Sequence, residues 1–356
     1  MANILTKAAT ATYTEAAHLI SGDDAAYVQR KIDALGSGGG TVVLPNEDLD
    51  ITRPVIIRGE RVILQGAGAT RLRVRDTTEA GLILHNATSP SVRDLTLVAD
   101  GRLFELVSIR RVEWGPGVPV PTNPGFSNVV LDGGSRNAWN LIGFSDLSGT
   151  NQNNEHGRFV NVRGMNFEHA FVRIGHNQSK EHVFEHCNVT GGQYGVVAHG
   201  SFRWRDGAMS GLDEAFMLSS PSDNVIIQGV GVEATRRLLT TAGPTSAAWP
   251  ITLQGVRYAA DAMADDDNFI VMQTPGPLSI LGCDIGGGNV RIPHVLTYTP
   301  NQVIGAVVEG NSFTAFGAVP EGFFRDPSGA PPKNGVIRWG PNAWATGLAD
   351  PNCVIR

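Results

Sequence analysis

The chain has only three cysteines, Cys187, Cys283 and Cys353, with no C-x-x-C pair among them. An odd, sparse set argues against a disulfide framework and predicts buried free thiols. His182 and His186 lie four apart beside Cys187, but no second cysteine or carboxylate pair completes a metal site, so no metal or cofactor is expected. Charge is scarce as well, at 17% of residues against a usual ~25%. The net charge is −6 and no block of Lys and Arg is longer than a pair or so. Nothing is there to neutralise a run of phosphates, which argues against nucleic acid as a partner. No apolar run approaches the ~18 residues of a membrane span. The opening residues, Met1 to Lys7, lack a basic region followed by an apolar stretch. Neither membrane association nor Sec export is expected, and synthesis and folding in a cytoplasm are.

What the chain has in excess is glycine, 43 of 356 residues against a usual ~7%, which argues against a helical bundle or coiled coil. Short β-branched runs ending in a small residue recur. They close at Gly164, Cys187, Gly207, Gly229, Gly255, Gly282 and Gly310, in steps of 23, 20, 22, 26, 27 and 28 residues, with earlier members at Gly66 and Gly133. Each run is about six residues long and tends to alternate, as at Val225 and Ile227, a strand signal. Strands this short cannot bury a face alone, and a period in the twenties without an internal amphipathic helix matches neither ankyrin nor tetratricopeptide units. The L-x-x-L-x-L spacing of a leucine-rich repeat is absent. The pattern predicts an all-β, single-stranded right-handed parallel β-helix. Its coils stack at ~4.8 Å, and glycine serves the corners where φ is positive.

Residues 23–35 predict a short helix with Asp23 or Asp24 at its start, Val28, Ile32 and Leu35 on one face and Gly36 at its end. Laid across the first coil, it would cover the raw end of a solenoid. Gly22 to Leu35, Gly38 to Pro45, Ile51, Pro54 to Ile57 and Val62 to Gly68 together resemble the opening of pectate-lyase superfamily proteins. The resemblance is motif-specific over about residues 22–74. It departs from the usual opening where a Gly-Asp-Gly stretch is missing, and where Asn46 to Leu49 replace Pro-x-Gly-x-Tyr. It implies the β-helix seen in phage tailspikes, polysaccharide lyases, polygalacturonases and epimerases. Enzymes and inert structural proteins share that fold, so function must come from the site.

A polygalacturonase-like set of Asn-Thr-Asp, paired Asp, Gly-His-Gly and Arg-Ile-Lys is absent; Ala198-His199-Gly200 stands alone. Asp265 to Asp267 read as a solvated acidic turn. Taking the residue before each small corner gives a column of Asp132, Arg163, His186, Asp206, Gln228, Gln254, Leu281 and Glu309. Were the site catalytic, Arg163 would steady a substrate carboxylate and His186 or Asp206 would accept a proton; the plainer reading is a solvated sheet face. Glu185 and Arg205, in a mostly apolar column, are expected to pair across neighbouring coils. Glu155-His156 and Asp213-Glu214 are weaker candidates, and the six Trp do not keep the repeat spacing that a sugar-binding stripe needs.

The expected organisation is an N-terminal arm over 1–21, a capping helix over 22–36, coils over 37–316 and a proline-rich C-terminal cap or interaction segment over 317–356. The expected function is a structural bacteriophage virion protein, a homotrimeric spike, fibre or capsid decoration. It would contact other virion proteins through its ends and could meet a cell-surface polysaccharide. The alternative is a lyase or glycoside hydrolase acting on an acidic glycan, secreted or mounted on a tail.

Overall fold

In a computed structural model, the described residues are 24–75, 77–110, 122–144, 154–219, 224–242, 250–260, 269–273, 276–287, 294–298, 305–313, 322–325 and 336–344. The chain winds as a right-handed parallel β-helix, the hand that nearly all crossovers between parallel strands take. Successive coils contribute strands to three faces. The first face begins with Gly40–Val43 and Val62–Gln65, the second with Asp48–Ile51 and Arg71–Val74, the third with Val55–Ile57 and Ala80–His85. Each pairs in parallel with its counterpart one coil on. In mid-molecule the corners are tight enough that His182–Ala198 and Phe202–Ser219 each run through all three faces as one strand. The coils continue past residue 316, where Gly322–Arg325 pairs with His294–Tyr298 and Val336–Trp339 with Gly305–Glu309.

Register places like residues above one another in the interior. On the first face Val42, Leu64, Val92, Phe126, Phe159, Phe184, Trp204, Ile227, Leu253, Ile280 and Val308 form one column. All are buried. Its middle is an aromatic stack: successive rings from Phe126 to Trp204 are 5.2, 4.8 and 5.1 Å apart and within 18° of parallel. The ~4.8 Å rise between coils brings equivalent rings to stacking distance. Cys187 and Cys283 are buried free thiols, and burial pushes the Cys187 thiol up to about 12. Cys353 lies outside the described residues, as do the 1–21 arm and Asp265 to Asp267.

The helix α1, Asp24–Asp33, covers the first coil with Ala25, Tyr27, Val28 and Ile32 buried. Leu35 packs half-buried against the same core, and Gly36 follows with φ of 62°. Its polar side chains bond the backbone of the first described coil. Gln29 Oε1 accepts from the Ile56 N–H at 2.8 Å and its Nε2 donates to the Ile56 carbonyl at 3.0 Å. Asp24 Oδ2 accepts from the Asp50 N–H at 2.6 Å, so this carboxylate serves an edge strand. A bare sheet edge would leave those groups unpaired.

Two glycines that the repeat reads as corners, Gly133 and Gly164, do not make the corner between first and second face. The turns between first and second face fall at Asn128 and Asn161, with φ of 54° and 52°. Gly164 lies inside the second strand segment, where a Cβ would stand 2.2 Å from the Phe171 ring. It is small because a ring packs on it.

One buried polar network sits at the entry to the first face. His182 is fully buried; its Nδ1 accepts from the Gly157 N–H at 3.1 Å, so its Nε2 carries the proton and donates to Ser179 Oγ at 2.9 Å. Ser179 Oγ then donates to the Asn154 carbonyl at 3.1 Å. The serine proton points away from the imidazole, the wrong polarity for a nucleophile and base. Burial, with a smaller contribution from His156, lowers the His182 pKa to about 3. An unfolded histidine titrates near 6.5. The neutral ring therefore contributes full stability above that value, and the contribution is lost as pH falls from about 6.5 toward 3. We expect acid to destabilise the protein by roughly 5 kcal/mol through this group. Urea unfolding against pH should show a shallower acid limb in His182→Gln than in wild type.

Candidate functional site

The polar column predicted from the repeat divides among three places. Gln228, Gln254, Leu281 and Glu309 are in register with one another, but the residues opposite them in earlier coils are Glu185 and Arg205. Arg163 belongs to the second face, opposite Asn188, and Asp132 is opposite Met165. His186 and Asp206 are neighbours, with Nδ1 and Oδ2 3.9 Å apart and both side chains more than half exposed. That separation exceeds a hydrogen bond.

The backbone explains the residue types at 186 and 206. Successive coils turn from first to second face at Asp94, Asn128, Asn161, His186, Asp206, Gly229, Gly255, Gly282 and Gly310, all with φ between 52° and 69°. This left-handed region is costly for most residues and is tolerated by Gly, Asn, Asp and His. The early side chains form an outer ladder. Asn161 Nδ2 donates to Asn128 Oδ1 at 2.9 Å, and Asn128 Nδ2 to Asp94 Oδ1 at 3.0 Å. Beside it Glu185 accepts from Arg158 at 2.7 Å and lies 3.7 Å from Arg205, the pairing expected across coils together with a second cation. Of the weaker candidates, Glu214 accepts from Arg237 at 2.5 Å, and His156 Nδ1 is 2.9 Å from Glu181 Oε2.

A different arrangement lies where the second face turns into the third. Gly134, Ser135 and Arg136 have φ of 57°, 56° and 69°. Asp132 Oδ1 accepts from the Gly134 N–H at 3.0 Å, and Asn137 Nδ2 donates to the Ala99 carbonyl at 3.0 Å. This pinned turn delivers Trp139 to the surface. Among the described residues Trp139 and Val43 are the exposed large hydrophobic side chains. In register, Phe104 is one coil before Trp139 and His169 one coil after.

The Trp139 indole stacks on the His169 ring at 4.8 Å and 6°, and the Tyr194 ring meets His169 edge-on at 5.1 Å. The His169 Nδ1 is 3.0 Å from Oδ1 of Asn140, a fully buried residue. An amide oxygen only accepts, so Nδ1 carries the proton. Burial, then the nearby Arg173, lowers the His169 pKa and keeps the ring neutral. The Arg173 guanidinium lies 5.8 Å from the Phe104 ring centre. Thr78, Arg102, Leu103, Phe104, Asn137, Trp139 and Glu168 line a cleft of about 290 Å³ here. Sequence reading missed it because the column mixes Phe, Trp and His. The one available signal was a Trp two residues after a Gly-Gly-Ser-Arg-Asn turn. Among the described residues no cluster of three or more His, Cys, Asp or Glu could hold a metal.

No protein-family model and no curated protein matches the chain. Solved structures do. A tailspike protein of E. coli bacteriophage HK620, solved in complex with a hexasaccharide, is similar with a TM-score of 0.61 and 13% identity; the likeness covers 89% of this chain and 61% of that one. The chain thus spans about six tenths of the tailspike's length. The A-module of the mannuronan C-5 epimerase AlgE4 of Azotobacter vinelandii gives a TM-score of 0.57 at 14% identity, over 92% of this chain and 94% of that one. A GH87 alpha-1,3-glucanase catalytic unit from Streptomyces thermodiastaticus gives 0.54 at 14%, over 93% and 68%. Likeness at this identity shows the fold alone.

Whether position 186 serves the backbone or a reaction is separable by substitution. His186→Ala places a Cβ residue without a polar group in the left-handed region and should lower stability by about 1 kcal/mol. His186→Gly should stay close to wild type in urea unfolding. Equal losses would mean that the ring, through Asp206, matters more than the turn.

Proposed function

We propose that the protein is a structural component of a bacteriophage particle, a homotrimeric β-helix spike, fibre or capsid decoration whose outer surface meets a cell-surface polysaccharide. The observation that carries this reading is the likeness to a phage tailspike solved with a hexasaccharide, over nearly nine tenths of the chain. Stacked rungs supply what such a role needs, because each rung adds backbone pairing and buried apolar area to the last, giving a stiff rod. The exposed, corner-bound His186 and Asp206, with Arg163 on another face, fit a solvated exterior.

A second reading keeps a specific observation. The epimerase module matches this chain nearly end to end, so an enzyme acting on an acidic polysaccharide is the competing assignment. There, Arg163, His186 and Asp206 would be the residues to test.

Two measurements decide between the readings. The purified chain should have the solution mass of three copies, and incubation with uronate polymers should release no unsaturated or shortened sugars. A monomer would overturn the trimer. Turnover that disappears in Asp206→Ala yet survives in a surface control such as Arg257→Ala would establish the enzyme.

A further inference from the structure

The geometry points to a carbohydrate subsite in the cleft between Phe104 and Trp139, built for one pyranose unit with adjacent free hydroxyls and no net charge. This deepens the polysaccharide-binding part of the reading above and rests on it. Three observations bear on the ligand. The first is the platform. Trp139 is 38% exposed, yet its ring is held flat against His169. Its backbone is fixed as well, because the Trp139 carbonyl accepts from the His169 N–H at 2.8 Å and the Ala138 carbonyl from the Glu168 N–H at 2.9 Å. An apolar face immobilised before binding costs little further ordering when a flat ligand covers it. The C–H face of a pyranose is such a ligand, and indole is the aromatic surface with most area to offer it.

The second observation is charge. Arg102 and Glu168 both line the cleft, the first exposed and the second half-buried. Among the described residues neither side chain has an ion-pair or hydrogen-bond partner. Guanidinium only donates and carboxylate only accepts. A ligand satisfying both must accept at one side of the cleft and donate at the other, which the hydroxyls around a sugar ring do. With one cation and one anion in the lining, a uronate or an amino sugar loses at one of them what it gains at the other, so the lining charge favours neither over a neutral hexose.

The third is size. The cleft holds about 290 Å³, near the ~300 Å³ lower end of small-ligand pockets. That suits one ring of a longer chain running along the rod.

The test is titration of the full-length protein with a neutral hexose polymer, for example a mannan or β-glucan set, and with polygalacturonate, read by calorimetry. Trp139→Ala should weaken binding of the preferred neutral polymer at least tenfold, while Trp139→Phe should weaken it less. Glu168→Gln should cost about three- to tenfold, the loss of one charged acceptor. Melting temperatures should stay near wild type, since Trp139 is exposed. Three results would overturn the proposal: binding undiminished in Trp139→Ala, preference for polygalacturonate, or no binding to any polymer by the wild type. The first leaves polysaccharide engagement standing at another place on the rod. The second leaves it standing with an acidic ligand. The third removes it and leaves only the assembly role, which the solution mass reads independently.

Discussion

The structure depends on one constraint: every coil must present its backbone to the next in register on three faces at once. Parallel pairing at a fixed rise does this only if the coils have nearly the same cross-section. The interior columns meet that condition by matching volume. The first-face column passes from Val and Leu through three Phe and Trp204 and back to Ile, Leu and Val. Where a large ring intrudes, a neighbour shrinks, as Gly164 does under Phe171. Close packing leaves no slack for a mismatched coil.

The same constraint fixes what the surface can be. A turn that must repeat at one height in every coil selects residues for φ, and side-chain chemistry is secondary. The column from Asp94 to Gly310 shows this, since amide, carboxylate, imidazole and hydrogen all occupy one backbone conformation. Polar residues at such positions resemble a reactive cluster when read along the sequence. Their common feature is tolerance of the left-handed region. At the first described coil, α1 supplies Gln29 and Asp24 as partners for backbone groups of the sheet edge.

The fold was legible because closure leaves a periodic trace. A coil of three short strands needs some twenty-odd residues, and the small residues at Cys187, Gly207, Gly229 and Gly255 recur at that interval. The capping helix was legible from Val28 and Ile32 alone. Register was not. Aligning Cys187 and Gly207 with Gly229 slips the coils by one residue, because the true equivalents of Gly229 are His186 and Asp206. A slip of one reverses which side chains share a face. It separated Gln228 from its real neighbours, Arg205 and Glu185. Asp132 and Arg163 went astray for a related reason, since Asn128 and Asn161 make those corners and a search for glycine passes over them. The Glu185–Arg205 pairing survived because Cys187 and Gly207 were aligned correctly with each other, and the slip entered only at the next coil. The Trp139 cleft left almost no trace, because its parts come from four coils with turns of unequal length.

A rigid rod changes what a shallow binding surface is worth. On a mobile loop an exposed indole must be ordered by its ligand, and that cost comes out of the affinity. Here the turn at Asp132 to Asn137 is pinned by its own hydrogen bonds, and the His169 ring beneath Trp139 is oriented through buried Asn140. One charge-balanced cleft still contacts a single sugar ring, so its intrinsic affinity is low. Repetition compensates. In the proposed trimer, copies that reach one polymer together would make the later contacts intramolecular, and avidity would then exceed the single-site affinity by about 10²–10⁴ without any new contact. That gain requires sites whose spacing does not relax, and a solenoid supplies it because each rung is bonded to its neighbours along its length.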